Sequence, residues 1–278
     1  MLSVSSVALV RSVVSASSVA LVIALSGATL LATRADLARA RSLYNLRQFD
    51  GAIEAAIVAQ KTAATADAAT VVLARAHLER YRERVDPADL SAARAALGTV
   101  RAAGLDARDT IDFLMALGEA LFFDDDYGAA AQLFESGLEG AFALDSVAGE
   151  AMLDWWGSAV ERHADALGRE LRTAGFGRLR DRMALHLARS PASAAAAYWV
   201  VVGARGAGDA AAAWDAAIAG WVRARLASAR SAALRADLDK LVMEGIIPDR
   251  VRTAAPDKRA QMESDLRAEW AVVKERWK

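Results

Sequence analysis

The sequence predicts an all-α fold built from short antiparallel helix pairs, and three observations lead to this prediction. Alanine, the strongest helix former, occupies 68 of the 278 positions, whereas proline occupies only four. Apolar residues recur at intervals of three and four along most of the chain after residue 34. Short polar or proline-containing segments interrupt this period repeatedly, as turns between helices do. Because 55% of the residues are hydrophobic and none is cysteine, the composition excludes disordered and disulfide-stabilised chains.

The amino-terminal segment is an uncharged stretch of 22 residues between Arg11 and Arg34. Its length suits a membrane-spanning helix, whereas its serines, its short apolar core and the small residues that follow favour a cleaved secretory signal. A buried helix of the fold is a third alternative. Residues 1–33 are therefore predicted to be a signal peptide or membrane anchor, with residues 12–33 as the candidate tether. The expected location is periplasmic or secreted, and inner-membrane anchoring is the alternative.

The first two predicted helix pairs lie between residues 34 and 100. Leu37, Ala40, Leu43 and Tyr44 form one apolar face, and a turn at Arg47–Gln48 leads to a second helix that begins at Phe49. The second pair is predicted over residues 66–81 and 87–100. A charged loop, residues 82–86, separates its helices, and Pro87 suits a first helical turn.

The third pair, residues 112–138, has the clearest pattern. Small residues at Gly118 and Ala130 allow two antiparallel helices to approach closely, and Phe134 fills the space beside them. Such a pair cannot bury its apolar face alone, so neighbouring pairs are expected on both sides. The residues predicted to line the two helices are Leu114, Leu117, Gly118, Leu121, Tyr127, Ala130, Phe134 and Gly137.

This last pattern resembles the tetratricopeptide repeat (TPR) family. The first pair matches the family pattern through Ala40, Leu43, Phe49, Ala52, Ala56 and Ala59, and the second through Val71, Ala74, His77 and Ala93. A degenerate copy over about residues 192–223 matches through Trp199, Gly203, Gly208, Asp209, Ala213, Ala217 and Gly220. The resemblance implies a TPR-like α-solenoid with repeats over residues 34–145.

Residues 146–278 are predicted to form a helical carboxy-terminal region that contains this degenerate repeat. Pro248 is expected to end a helix near residues 246–247. A last helix from Asp257 has one apolar stripe and one charged face, which suits a terminal cap on a stack of helices, although the stripe could instead dock a partner. The stripe consists of Met262, Leu266, Trp270, Val273 and Trp277.

The resemblance also implies a partner-binding groove, because in this family the first helices of successive pairs line a concave surface that holds a peptide. The corresponding positions here carry mixed charges and two aromatic rings, which suit a peptide or protein better than a small metabolite. They are Arg41, Tyr44, Asn45, Arg75, Glu79, Asp112, Glu119 and Phe122.

The sequence offers no constellation of catalytic, metal-binding or cofactor-binding residues. Its three histidines lie apart, and no HExxH or GxSxG motif is present. Net charge is −1, and the arginine-rich segment 169–189 is interpreted as a solvated helix face, so no nucleic-acid partner is expected. A helical enzyme that uses Asp154 or Glu161 near the tryptophans is the less favoured alternative.

The expected function is therefore a non-catalytic protein–protein interaction scaffold of the bacterial cell envelope. The bacterial source is inferred from composition, because arginine outnumbers lysine 29 to 5 in an alanine-rich chain. A membrane-anchored envelope assembly factor is the alternative if the amino-terminal segment is retained.

Overall fold

A computed structural model describes residues 34–278, and this part of the chain is helical throughout, with no strand. The all-α prediction is confirmed. The predicted signal peptide or anchor, residues 1–33, lies outside the described residues, and so does the candidate tether, residues 12–33. Within residues 34–278, no helix combines the length and the apolar character that crossing a bilayer requires.

Thirteen α-helices succeed one another along the described chain, and the first, α1, covers residues 34–45. The others are α2 Phe49–Ala59, α3 Ala66–Arg84, α4 Pro87–Leu97, α5 Ala107–Phe123, α6 Tyr127–Leu144, α7 Ser146–Asp165, α8 Arg169–Arg189, α9 Ala194–Gly206, α10 Ala210–Arg223, α11 Ser231–Leu241, α12 Ile247–Thr253 and α13 Arg259–Arg276. Short 3₁₀ segments lie at Ala102–Gly104, Ala224–Arg230 and Pro256–Lys258.

Short polar side chains fix where many of these helices begin. Asp145 accepts a hydrogen bond of 2.7 Å from the backbone N–H of Ala148 at the start of α7, and Ser193 accepts one of 3.1 Å from Ala196 at the start of α9. Each bond satisfies a backbone donor that has no partner within its own helix. Side-chain caps of the same kind begin α4, α5 and α10, at Asp86, Asp106 and Asp209.

The helices pack in adjacent pairs, and odd-numbered helices also pack against one another. Each helix from α2 to α10 contacts the next in sequence, and further contacts join α3 to α5, α5 to α7, α7 to α9 and α9 to α11. One apolar cluster extends from Ile111 to Val202 and contains residues of α5, α6, α7, α8 and α9. Residue 145 therefore marks a helix boundary inside a continuous core.

At two helix–helix contacts, a glycine on one helix leaves room for an aromatic ring of the other helix. A Cβ atom at Gly118 of α5 would lie 2.6 Å from Cζ of Phe134 in α6, and one at Gly157 of α7 would lie 2.5 Å from Cδ2 of Trp199 in α9. Real Cβ atoms are not found this close to another heavy atom. The packing of Phe134 against Gly118, predicted from sequence spacing, is confirmed.

The predicted loop over residues 82–86 is wrong in its length. Helix α3 continues to Arg84, and Val85 adopts a left-handed conformation with φ of 55° before Asp86 caps α4. The charged residues at the end of α3 suggested a loop, but arginine is a good helix former and is favourable in a last turn.

Pro248 does not end a helix, contrary to the sequence prediction. A π-helical turn at Val242–Ile246 links α11 to α12, and Pro248 lies in the first turn of α12, where a missing backbone N–H costs little. The next helix, α13, packs on α12 and buries Leu266 and Trp270 of the predicted stripe. The indole N–H of Trp270 donates to Asp239 at 2.7 Å.

Candidate functional site

Three odd-numbered helices, α1, α3 and α5, bring charged side chains together on one face. The spacing explains the arrangement, because residues three, four or seven apart lie on the same side of a helix. Helix α1 contributes Arg41 and Tyr44, and α3 packs against α5. We call the assembled set the polar cluster. It consists of Arg41, Tyr44, Arg75, Glu79, Arg82, Asp109, Asp112 and Glu119.

Ion pairs connect the three helices within the polar cluster. Arg41 of α1 pairs with Asp109 of α5, and Arg75 of α3 pairs with Asp112 of α5. Burial raises the pKa of Asp109, and the charge of Arg41 opposes that rise. Pairs that join separate helices over a partly buried surface fix the helices relative to one another, although they add little net stability.

A third ion pair lies within α3, where Arg82 Nη2 is 2.8 Å from Glu79 Oε2. The geometry does not make this contact a hydrogen bond, so the attraction is electrostatic. Each arginine of the polar cluster therefore has a carboxylate partner, and Asp112 also has a second arginine nearby, with Arg108 Nε 4.0 Å from its Oδ2.

Glu119 lies beneath this face and has no such partner. Its side chain is buried, with 1% of the residue exposed, and its Oε1 accepts no hydrogen bond from the described residues. Burial raises the pKa of the Glu119 carboxyl to about 7, while the charge of Arg75 limits the rise. Glu119 therefore changes its charge close to neutral pH.

Tyr44 supplies the aromatic part of the polar cluster. The guanidinium carbon of Arg75 lies 4.8 Å from the centre of the Tyr44 ring, a cation–π distance. Burial raises the pKa of the Tyr44 hydroxyl, so it stays protonated at physiological pH and can donate a hydrogen bond.

The structure brings together most of the residues that the TPR resemblance places in the groove, with two corrections. Glu119 does not point outward, because α5 packs against α3 and covers it. Phe122 belongs instead to an aromatic cluster with Phe123, Tyr127 and Trp155, in edge-to-face contacts with centroids 5.1–6.0 Å apart. Asn45 is exposed at the end of α1.

Sequence reasoning missed two members of the polar cluster, Asp109 and Arg82. The spacing from Asp109 to Asp112 is three, so the two share a face of α5, and this signal was available. Arg82 was assigned to a loop, which concealed its place on the face of α3 that carries Arg75 and Glu79.

Elsewhere in the structure, a polar cavity of about 330 Å³ opens between α7, α9 and α11. Asp154, Glu161 and Asp237 line it together with Tyr198. Trp199 donates its indole N–H to Asp154 at 2.9 Å. Burial raises the pKa of Asp154 and of Glu161, and it raises that of Tyr198 to about 12.

The histidines have structural surroundings in the described part of the chain. His77 Nδ1 lies 2.7 Å from Oδ1 of the buried Asp89, which also pairs with Arg80. The ring of His186 packs against Phe142, with centroids 5.0 Å apart. Within residues 34–278, no group of three or more histidine, aspartate or glutamate side chains has the arrangement of a metal site.

The chain matches no protein-family model, no curated protein and no solved structure.

Proposed function

We propose that this protein is a non-catalytic interaction scaffold that binds a peptide or protein partner on the face formed by α1, α3 and α5. The observation that carries the proposal is the polar cluster, in which three neighbouring helices place charged and aromatic side chains on one surface. Arginine and tyrosine are common in binding surfaces, because both offer large contact areas with directional polar groups.

The helix packing supports a TPR-like α-solenoid as the frame of this scaffold. Contacts between successive helices, with further contacts between odd-numbered helices, are what stacked helix pairs produce. In such a stack the first helices of successive pairs share one surface. Helix α13, charged on its exposed side and apolar beneath, is suited to close one end of the stack.

Quantitative affinity capture from a bacterial envelope fraction tests this proposal. The Arg41→Ala, Tyr44→Ala double variant removes one cation and one ring from the proposed surface, and it should retain much less of any partner than the wild type. Its thermal stability must be measured as well, because Arg41 pairs with the mostly buried Asp109.

A control removes one arginine and one apolar side chain from α8, at the exposed positions Arg178 and Leu185. The Arg178→Ala, Leu185→Ala variant should capture partners as the wild type does. If both double variants capture the same proteins in the same amounts, the α1–α3–α5 face is not the binding surface.

We also propose that the scaffold works in the cell envelope, periplasmic or secreted after signal cleavage, with inner-membrane anchoring as the alternative. The support is the uncharged run between Arg11 and Arg34. Mass spectrometry of the mature amino terminus distinguishes the two outcomes. A mature chain that begins beyond the run indicates cleavage, and a chain that retains it in the membrane fraction indicates an anchor.

A helical enzyme is the second candidate, favoured by the cavity that Asp154, Glu161 and Asp237 line. Burial raises the pKa of Asp154 and of Glu161, and carboxyl groups of this kind are candidates for general acid or base catalysis. A panel of chromogenic ester, phosphoester and glycoside substrates tests this candidate. Turnover that is lost in both Asp154→Asn and Glu161→Gln would support it, and turnover that survives both changes would place the chemistry elsewhere.

A further inference from the structure

We propose that the second half of the molecule binds a free α-amino acid with an apolar side chain, in a cavity where Arg205 holds the carboxylate of the ligand and Glu161 holds its ammonium group. The site is separate from the polar cluster, and the inference does not depend on the proposed scaffold function.

The cavity has a volume of about 640 Å³, and residues of α7, α8, α9, α11 and α12 line it. We call it the Arg205 cavity. It adjoins the smaller cavity described above, with which it shares Glu161 and Tyr198. Sites for small molecules typically have volumes of about 300–1,000 Å³ and combine apolar walls with a few fixed polar groups.

Arg205 is held in place by α12 and by the π-helical turn. Its Nε donates a hydrogen bond of 2.7 Å to Oδ2 of Asp249. A Cβ atom at Gly245 would lie 2.7 Å from the guanidinium carbon of Arg205, so glycine at this position of the turn leaves room for the group. Neither Nη atom of Arg205 has a hydrogen-bond partner among the described residues. A guanidinium fixed in this way offers donors whose geometry matches the two oxygens of a carboxylate.

Six charged side chains line the cavity, and their charges sum to zero. They are Arg172, Arg205, Arg252, Glu161, Asp165 and Asp249. Arg172 pairs with Asp165 at 2.9 Å, so these two neutralise each other. Asp249 pairs with both Arg205 and Arg252, so one carboxylate is shared by two cations. The end of the cavity at α12 therefore carries one positive charge in excess.

The balancing negative charge is Glu161, which forms no ion pair with any described residue. Its neighbour Arg162 is exposed and lies outside the cavity lining. Burial raises the pKa of Glu161, and the charge of Arg205 opposes that rise, so the two side chains lie within electrostatic reach of each other. A ligand that carries a cation next to an anion would bridge them, whereas a ligand of one sign would satisfy only one end.

The two adjoining cavities do not reverse this polarity. They add three carboxylates and two cations, which are Asp154, Asp237, Glu244, Arg230 and Lys240. Asp154, Asp237 and Arg230 line the cavity that includes Glu161 and contribute one further negative charge there. Glu244 and Lys240 lie on the Arg205 side and cancel. The ammonium group of the ligand therefore belongs at the Glu161 end.

Apolar side chains form much of the remaining wall. Phe176, Val202 and Leu241 line the cavity, so an aliphatic or aromatic side chain of the ligand would bury apolar surface against them. Tyr198 lies near both charged ends, because Glu161 and Arg205 each influence its hydroxyl. Burial raises the pKa of that hydroxyl to about 12, so it stays protonated and can donate to the ligand carboxylate.

Binding of free amino acids to the full chain tests the inference. Thermal unfolding with each standard amino acid in turn identifies the ligand, because a ligand that binds only the folded state raises the melting temperature. We expect leucine, methionine or phenylalanine to stabilise the protein, and aspartate and lysine to have no effect. Isothermal titration calorimetry at about pH 7 then compares the best ligand with its methyl ester and its N-acetyl derivative. Each derivative lacks one of the two charges and should bind at least about tenfold more weakly.

Three variants test the assigned residues. Arg205→Lys keeps the charge but loses the planar fork, and Glu161→Gln removes the carboxylate, so each should weaken binding about tenfold. Gly245→Ala should weaken it by a similar factor, because the new methyl group displaces the guanidinium of Arg205. The matched controls Arg189→Lys and Glu139→Gln change exposed residues outside the cavity and should alter the affinity less than about twofold.

The inference is overturned if no amino acid binds, or if the ester or the N-acetyl derivative binds as tightly as the parent amino acid. It is also overturned if Arg205→Lys and Gly245→Ala both keep the affinity of the wild type. If Arg205→Lys does not fold by circular dichroism, Gly245→Ala and the two derivatives on the wild type decide the question. None of these outcomes bears on the scaffold proposal, which the capture experiment tests.

Discussion

Replacing Glu119 by glutamine should make the protein less sensitive to pH, and the size of the effect follows from its burial. The folded state holds the Glu119 proton with a pKa of about 7, compared with 4.5 for the free side chain. At about 1.4 kcal/mol per pKa unit, this difference corresponds to about 3 kcal/mol of unfolding free energy.

The sign follows from the direction of the shift. Because the pKa is raised on folding, the stabilising contribution is complete below the unfolded value and is lost as the pH rises through about 7. Between about pH 4.5 and pH 8, the wild type should therefore lose about 3 kcal/mol relative to Glu119→Gln. Groups that titrate in both proteins contribute equally to the two stabilities, so their contributions cancel in the difference between the wild type and Glu119→Gln.

Urea denaturation followed by circular dichroism at both pH values measures the effect. Glu139→Gln is the control, since it removes the same carboxyl group from an exposed position on α6. A difference below about 1 kcal/mol for Glu119→Gln, or one of opposite sign, would refute the reasoning. A difference of opposite sign would mean that the charge of Arg75 stabilises the ionised carboxylate more than burial destabilises it.

Two further predictions concern packing. Gly118→Ala should destabilise the fold by about 1–3 kcal/mol, because the new methyl group meets Phe134, whereas Gly177→Ala, with nothing within 4 Å, should gain up to about 1 kcal/mol from helix propensity. Equal effects of the two changes in thermal denaturation would contradict the packing argument. Trp270→Ala should lower the free energy of unfolding by about 3–5 kcal/mol and make α13 sensitive to protease, because Trp270 is fully buried. Trp277 is 38% exposed, so Trp277→Ala should lower it by less than about 1 kcal/mol. A protease-resistant α13 in Trp270→Ala would show that the helix is held by other contacts.

Much of the fold could be predicted from the sequence, because its pattern is local. The spacing of Gly118, Ala130 and Phe134 determines how α5 and α6 meet, and the structure shows the expected contact between Gly118 and Phe134. The end of α3 and the turn around Pro248 could not be placed, since both depend on single backbone conformations. Val85 turns the chain by a left-handed φ, and a π-helical turn accommodates Pro248.

The sequence predicted which residues share the candidate site better than it predicted their burial and charge. The TPR resemblance implies that Arg41, Arg75 and Asp112 share one face, and the structure joins α1, α3 and α5 there through ion pairs. Burial of Glu119 depends on how closely α5 approaches α3, which no local pattern reveals. The cavity near Asp154 could not be predicted for the same reason, since it forms only where three helices that are distant in sequence meet.

All seven tryptophans lie between residues 155 and 277, so tryptophan fluorescence reports on one part of the molecule. Indole emission would follow α7 to α13 and the contacts of Trp155 with α5 and α6, while far-ultraviolet dichroism would follow every helix. In a row of units that contact only their neighbours, the two ends can melt at different temperatures. A dichroism transition that precedes the loss of indole emission would identify the tryptophan-free end as the first to open, without any added label.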